Sequence, residues 1–155
     1  MEEIIKVTSQ DEVEYLLEVF TPCFQSFVSG SVNKGIIARK LIKFGIVLKC
    51  IVCGTCVAFV GFYCNDLEKK NAFLSLIAVL PDFERMGYGK KLLQQVMEYA
   101  ILNGMRTLTL EVRKDNDSAI AFYKKQGFVV DNVQEQNLYH MKKVLRDTEA
   151  FEGEL

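Results

Sequence analysis

"LIAVLPDFERMGYGKKLLQQVMEYA", residues 76–100, is the stretch that decides the fold. It opens as an apolar run of strand length and stops at Pro81, which cannot donate to a central ladder. A loop holding Gly87 and Gly89 follows. The next residues carry Leu92, Leu93, Val96, Met97, Ala100 and Ile101 at helical spacing, one continuous apolar stripe. Asn103-Gly104 then reads as a helix stop. A strand that runs through a glycine turn into a helix exposes unpaired backbone amides at the positive end of the helix dipole, an arrangement suited to an anion.

The familiar phosphate motifs do not fit this turn. A P-loop requires G-x-x-x-x-G-K-[ST]; counting around Gly89-Lys90, the first position is Glu84 and the last is Lys91. A dinucleotide fingerprint requires a third glycine where Leu92 stands. What remains is a loop whose amides over 85–90 converge on one anionic group, with Arg85, Lys90 and Lys91 as local positive charge. Cations at a helix N-terminus oppose its dipole, so an anion between them explains them better than solvent does. The alternative is a tight strand-to-helix turn shaped by glycine, with the lysines solvated.

Outward from this stretch the chain alternates strands and helices. Residues 2–8 read as a strand and 10–20 as a helix through Val13, Leu16, Leu17 and Phe20. Pro22 restarts the chain, Ser29-Gly30-Ser31 marks a break, and a helical pattern resumes through Ile36, Ile37, Leu41 and Ile42. Strands are expected at 46–52 and 55–64 around a tight turn at Cys53-Gly54, with a polar connection at 66–71 and a mostly buried strand at 72–80. "RTLTLEV", 106–112, puts Leu108, Leu110 and Val112 on one face and Thr107, Thr109 and Glu111 on the other. Asn116 or Asp117 caps a helix running to Gln126 and closed by Gly127. Two strands, 128–131 and 137–144, finish the pattern. The order predicts an α/β fold with a mixed sheet of about seven strands and helices on both faces.

The 155 residues suit a single domain over 1–145, followed by a polar, acidic tail over 146–155. A net charge of −1 gives no global electrostatic case for nucleic acid or an anionic membrane. No apolar run reaches the length of a transmembrane helix. The opening "MEEIIKVTSQDEVEY" is acidic and lacks the basic-then-apolar order of a secretory signal, so the expectation is a cytoplasmic protein.

Five cysteines without such a signal argue for reduced thiols. Cys50, Cys53 and Cys56 have the spacing of a metal or iron–sulfur ligand set, but no second Cys-x-x-Cys and no nearby histidine complete four ligands. In a hairpin they serve as small hydrophobes. No metal is expected.

"AVLPDFERMGYGKKLL", followed by "LTLEVRKDNDSAIAFYKKQGF", resembles the GNAT family of N-acetyltransferases over residues 72–131. The family's loop pattern is [QR]-x-x-G-x-[GA]. Gly87 and Gly89 match it; Glu84 stands where Gln or Arg is usual, with Arg85 as the neighbouring cation. Asn116, Ala119, Phe122-Tyr123 and Gly127-Phe128 form a second block in the expected order. The resemblance implies the acyl-CoA N-acyltransferase fold, its sheet mostly antiparallel and splayed between strands 72–80 and 106–112. It implies acetyl-CoA as co-substrate. Arg85, Met86, Gly87, Tyr88, Gly89 and Lys90 would hold the pyrophosphate, Ile77, Ala78 and Val79 the pantetheine arm, and Asn116 and Tyr123 would also reach the cofactor.

Acetyl transfer to an amine needs a neutral nucleophile, stabilisation of the carbonyl oxygen and a proton for the departing thiolate. By the resemblance Tyr123 is the acid; read from the helix alone, it is a core tyrosine beside Phe122. A glutamate that many members carry before the glycine loop is replaced by Ser75. Glu111, twelve residues before Tyr123, takes the place of the base proposed in the ribosomal-protein N-acetyltransferase branch. Read without the family, Glu111 is a surface carboxylate, Asn116 a helix N-cap and His140 a half-exposed strand residue. The expected activity is acetyl-CoA-dependent N-acetylation of a primary amine by direct attack on the thioester. The alternative, motivated by Glu84 and Ser75, is a catalytically silent acyl-CoA-binding or regulatory module on the same fold. Acceptor selectivity is expected from residues 22–45 and 129–142, and neither carries a recognition motif; a small-molecule amine and a protein or peptide amine both fit. A homodimer is compatible with the family.

Overall fold

The structure, a computed structural model, describes residues 1–24, 33–135 and 137–146. Among the described residues seven strands and four α-helices follow in chain order: β1 (Glu2–Val7), α1 (Gln10–Val19), α2 (Lys34–Phe44), β2 (Ile46–Val52), β3 (Thr55–Asp66), β4 (Asn71–Val79), α3 (Tyr88–Leu102), β5 (Thr107–Arg113), α4 (Asp117–Lys125), β6 (Val129–Glu135) and β7 (Leu138–Val144). Short 3-10 turns at Thr21–Phe24 and Pro81–Phe83 were not foreseen. The strand order is β1-β2-β3-β4-β5-β7-β6. The β1–β2, β2–β3, β5–β7 and β6–β7 pairs are antiparallel and β4–β5 is parallel. The expected break around Ser29-Gly30-Ser31 and the acidic tail from Asp147 lie outside the described residues.

The chain packs as two compact units, one made of Met1–Tyr63 and Leu76–Gln95, the other of Cys64–Ser75 and the chain from Val96 onward. In the first, Ser9 caps α1 by accepting from the Glu12 amide at 3.3 Å, and Asn33 caps α2 by accepting from Ile36 at 3.1 Å. Each relieves one of the unpaired amides of a helix start. Val13, Leu16 and Leu17 of α1 and Ala38 and Leu41 of α2 join Val7, Phe20, Val47, Phe59, Leu76 and Ala78 in one buried cluster. The Phe20 and Phe59 rings meet edge to face at 5.0 Å. Of the four residues of the expected α2 pattern, Leu41 is buried and Ile37 and Ile42 pack against the cluster, while Ile36 is 54% exposed.

Gly45 ends α2 where the chain turns into β2. A Cβ there would lie 2.7 Å from the Phe62 carbonyl oxygen and 3.0 Å from two Tyr63 ring carbons. The backbone has φ −121°, open to any residue, so the constraint is contact and not conformation. Gly45→Ala is therefore expected to destabilise by about 1–3 kcal/mol, the range for overpacking. A thermal melt showing a Tm unchanged from wild type would contradict this.

In the second unit the parallel β4–β5 ladder runs from Asn71↔Thr107 to Leu74↔Leu110. Thr109, on the face of β5 opposite the leucines, is buried, and Asn71 bridges the two strands there. The Asn71 amide nitrogen donates to Thr109 Oγ1 at 3.0 Å, and Thr107 donates to Asn71 Oδ1 at 2.7 Å. Both threonine hydroxyls are thus satisfied within the sheet, as buried polar groups require. β6 reaches Glu135, past the expected end at 131, with register shifts between Val130 and Asn132 and between Asn132 and Glu135. Such bulges break the two-residue alternation from which strand length is read.

The cysteines behave as separate side chains. Cys50 is buried in β2, Cys56 is half-buried in β3 and Cys53 is exposed at the turn between them. Cys53 (φ 50°) and Gly54 (φ 83°) give that turn two successive left-handed residues, the requirement of a two-residue hairpin. Among the described residues no group of three or more His, Cys, Asp or Glu side chains is placed to hold a metal ion. No described helix is long and apolar enough to cross a membrane.

Candidate functional site

The first unit carries the glycine turn. After the 3-10 turn Pro81–Phe83, Glu84 is extended, Arg85 is left-handed at φ 63° and Gly87 is left-handed at φ 88°. Arg85 is thus one of few non-glycine residues in a conformation that side chains rarely adopt. The first bond of α3 runs from the Lys91 amide to the Gly87 carbonyl at 3.0 Å. The amides of Gly87, Tyr88, Gly89 and Lys90 precede any helical acceptor, as in every helix start. Tyr88 and Gly89 are half-exposed and Arg85, Met86, Gly87 and Lys90 exposed, so these amides face accessible space. A Cβ built on Gly87 meets nothing within 4 Å, so that glycine is required by its backbone angle and not by crowding.

The charges at this turn divide differently from the expectation. Lys91 donates to both carboxylate oxygens of Glu2 in β1, at 2.7 and 2.9 Å, and its ammonium lies 5.6 Å from the centre of the Tyr88 ring. Lys91 is committed to a protein carboxylate. Arg85 and Lys90 form no ion pair with a described residue, leaving them as the turn's available cations. The strand before the turn ends under restraint. The Leu80 amide donates to the Val57 carbonyl at 2.9 Å, and the Cys23 thiol donates to the Val79 carbonyl at 3.4 Å. Burial, followed by the nearby Glu84 charge, pushes the Cys23 thiol pKa up, so the donor keeps its proton. Ile77 and Val79 are half-buried and Ala78 is buried, its side chain in the core cluster.

The second unit carries the acid–base candidates. Asn116 caps α4: its side-chain oxygen accepts from the Ala119 amide at 3.2 Å and from Ser118 Oγ at 3.3 Å. The amide nitrogen of the same side chain bonds to no described residue, so capping leaves a donor over. Arg113 and Asp115 lock the approach to this helix with a two-point bond, at 3.0 and 2.7 Å. At its other end, Gly127 takes φ 97° and the Phe128 amide returns to the Tyr123 carbonyl at 3.0 Å, a glycine-dependent C-cap.

Tyr123 is the one buried residue of α4. Its ring meets Phe122 at 5.4 Å and Phe128 at 5.7 Å, both edge to face. Burial pushes its phenol pKa well above the usual tyrosine range, so it stays protonated throughout the neutral region. Its hydroxyl makes no hydrogen bond to a described residue, yet no buried side-chain oxygen or nitrogen among them lacks a partner. Among the described residues the ring is held by packing and not by its hydroxyl. Glu111 lies on β5 with its side chain exposed, opposite His140 of β7 in the antiparallel register.

A family model describing the acetyltransferase (GNAT) family matches residues 14–128. The chain belongs to the GNAT acetyltransferase family. An uncharacterised N-acetyltransferase of Methanocaldococcus jannaschii is 31% identical over 152 residues, covering 90% of this chain and 66% of that protein. The ribosomal protein bS18-alanine N-acetyltransferase of Salmonella typhimurium is 47% identical over 68 residues, 44% of this chain and 46% of that enzyme. The match thus spans from about half to just under two thirds of these relatives' length. Among solved structures, the PaiA N-acetyltransferase of Thermoplasma acidophilum in complex with coenzyme A superposes with a TM-score of 0.74 at 21% identity, over 93% of this chain and 99% of that one. At that identity the likeness is one of fold.

Within each unit the structure gathers what the sequence had named: Arg85 to Lys90 on one turn in the first, Glu111, Asn116 and Tyr123 around β5 and α4 in the second. Sequence reasoning missed Glu2 and Cys23. Glu2 meets Lys91 only because β1 folds back beside α3, 89 positions away in sequence, and nothing local announces that contact.

Proposed function

We propose that the protein is an acetyl-CoA-dependent N-acetyltransferase that acts on a primary amine by direct attack on the thioester. The observation that carries this reading, in a chain of this family, is the turn at 85–90: two left-handed residues, then a run of accessible amides at the start of a fifteen-residue helix, with Arg85 and Lys90 uncommitted. Alternating backbone handedness before a helix dipole is a general anion-binding geometry. The turn accordingly takes the pyrophosphate. Main-chain groups of Ile77, Ala78 and Val79 take the pantetheine arm, with the Val79 amide toward the thioester oxygen. Asn116 adds its free amide nitrogen.

Glu111 accepts the proton that the amine loses, directly or through water. Tyr123 protonates the departing thiolate; its packed ring, and a hydroxyl that bonds to no described residue, suit a donor with fixed position. The acceptor is a small-molecule amine or a protein or peptide amine. The relatedness to an enzyme that acts on a ribosomal protein's alanine supports an α-amine, whose ordinary pKa of about 8 makes deprotonation far easier than for lysine at about 10.4. The protein is proposed to work in the cytoplasm, with its thiols reduced and without a metal.

Glu111→Gln tests the base. It keeps the strand's shape and removes the charge. Its kcat/KM should fall most at low pH, where the amine arrives protonated, and recover toward the amine's own pKa. The informative window is about pH 6–9.5. Curves that run parallel for the two proteins would leave Glu111 a surface carboxylate.

A further inference from the structure

Three titratable side chains lie in a row across three adjacent strands of the second unit: Glu111 on β5, His140 on β7 and Asp131 on β6. Glu111 and His140 are direct antiparallel partners. Directly opposed residues project to the same face with Cβ atoms about 4.5–5.5 Å apart. The Asp131 carboxylate lies 3.7 Å from His140 Nδ1. The imidazole is 31% and the carboxylate 46% exposed, so both meet water while remaining seated on the sheet. The register shift between Val130 and Asn132 sits at Asp131, and a bulge of this kind re-aims a side chain. Of the other charged groups on this face, Arg113 is held by Asp115, and Lys142 lies two residues along β7, opposite Thr109.

We propose that His140, backed by Asp131, receives the proton that Glu111 takes from the acceptor amine and passes it to solvent. This rests on the reading of Glu111 as base. The amine gives its proton to the Glu111 carboxylate, which becomes a carboxylic acid. The acid passes the proton, directly or through one water, to His140 Nε2, and the carboxylate is restored. The imidazolium so formed carries its charge beside Asp131 and releases the proton to water, ready for the next turnover. An imidazole can take a proton at one ring nitrogen and give one up at the other, which suits histidine to a proton shuttle. His140 is the chain's only histidine, so a single substitution removes all imidazole from the protein. In this scheme it is a positioning and relay residue, acting through Glu111.

The test is kcat/KM for wild type, His140→Ala, Glu111→Gln and the double variant, each with and without imidazole added to the buffer. His140→Ala is expected to lose about tenfold, less than the 10²–10⁴ of a directly acting base. Added imidazole should restore most of the loss. In the Glu111→Gln background the same substitution should cost nothing more and imidazole should restore nothing, the non-additivity of two residues on one path. His140→Gln keeps a polar strand residue and should behave as His140→Ala without imidazole, which guards against a folding defect. A loss that imidazole does not restore, or one that persists in full without Glu111, overturns the relay. A Glu111→Gln protein with the wild-type profile is a separate failure, read from that single variant, and removes the base together with its relay.

Discussion

Gly89→Asp is expected to weaken coenzyme A binding by about two orders of magnitude, equivalent to about 2.7 kcal/mol. Gly89 is not among the glycines with positive φ, so aspartate can adopt its backbone without strain. It sits in the first turn of α3, where an acidic residue stabilises a helix by facing the dipole's positive end. The free protein should therefore fold as well as wild type, or better. The same charge, placed where the pyrophosphate is proposed to rest, repels it and competes for Gly87–Lys90 amides. Calorimetry with coenzyme A, alongside a thermal melt, separates the two effects. Wild-type affinity in a stably folded variant would move the anion elsewhere and leave the glycines as turn-formers only.

Tyr123→Phe should lower kcat by about 10²–10⁴, the usual contribution of general acid catalysis, with coenzyme A affinity nearly intact. Only the hydroxyl is lost. The edge-to-face contacts with Phe122 and Phe128 belong to the ring and survive. Because that hydroxyl bonds to no described residue, its removal leaves no described partner unsatisfied, and stability should change little. The raised phenol pKa adds a constraint on the pH profile. An acid held protonated by burial does not titrate near neutrality, so Tyr123 should contribute no basic limb below its normal range of about 10. An unchanged turnover number, measured where chemistry limits the rate, would return Tyr123 to the core.

Local patterns carried most of the fold. In the α3 stripe Leu92, Leu93, Val96, Met97 and Ala100 are buried and Ile101 is half-buried, and Leu108, Leu110 and Val112 are buried on one face of β5. Asn116 and Gly127 close α4 at the predicted ends. These features are legible because cap, stripe and stop each act over a few residues. What the sequence hid depends on pairing between distant segments. Asn71 crosses to the buried Thr109 from the parallel strand, and Lys91 is neutralised because Glu2 comes beside it. The length of β6 was hidden by its register shifts, which break alternation at Asp131, the residue that the shift brings to His140. Within the candidate site, the glycine turn and Tyr123 were visible by motif. The neighbours that settle which charges remain available, and how one carboxylate returns its proton, were not.

The central claim is chemical, and a turnover measurement meets it most directly. Purified protein with acetyl-CoA is offered a panel of small amines and peptides with free N-termini, while released thiol and acetylated amine are both counted. Catalytic thiol release matched one for one by acetylated product, on at least one member of the panel and absent without it, is the predicted result. Tight coenzyme A binding with no transfer to any amine would contradict the claim and favour a silent acyl-CoA-binding module on the same fold.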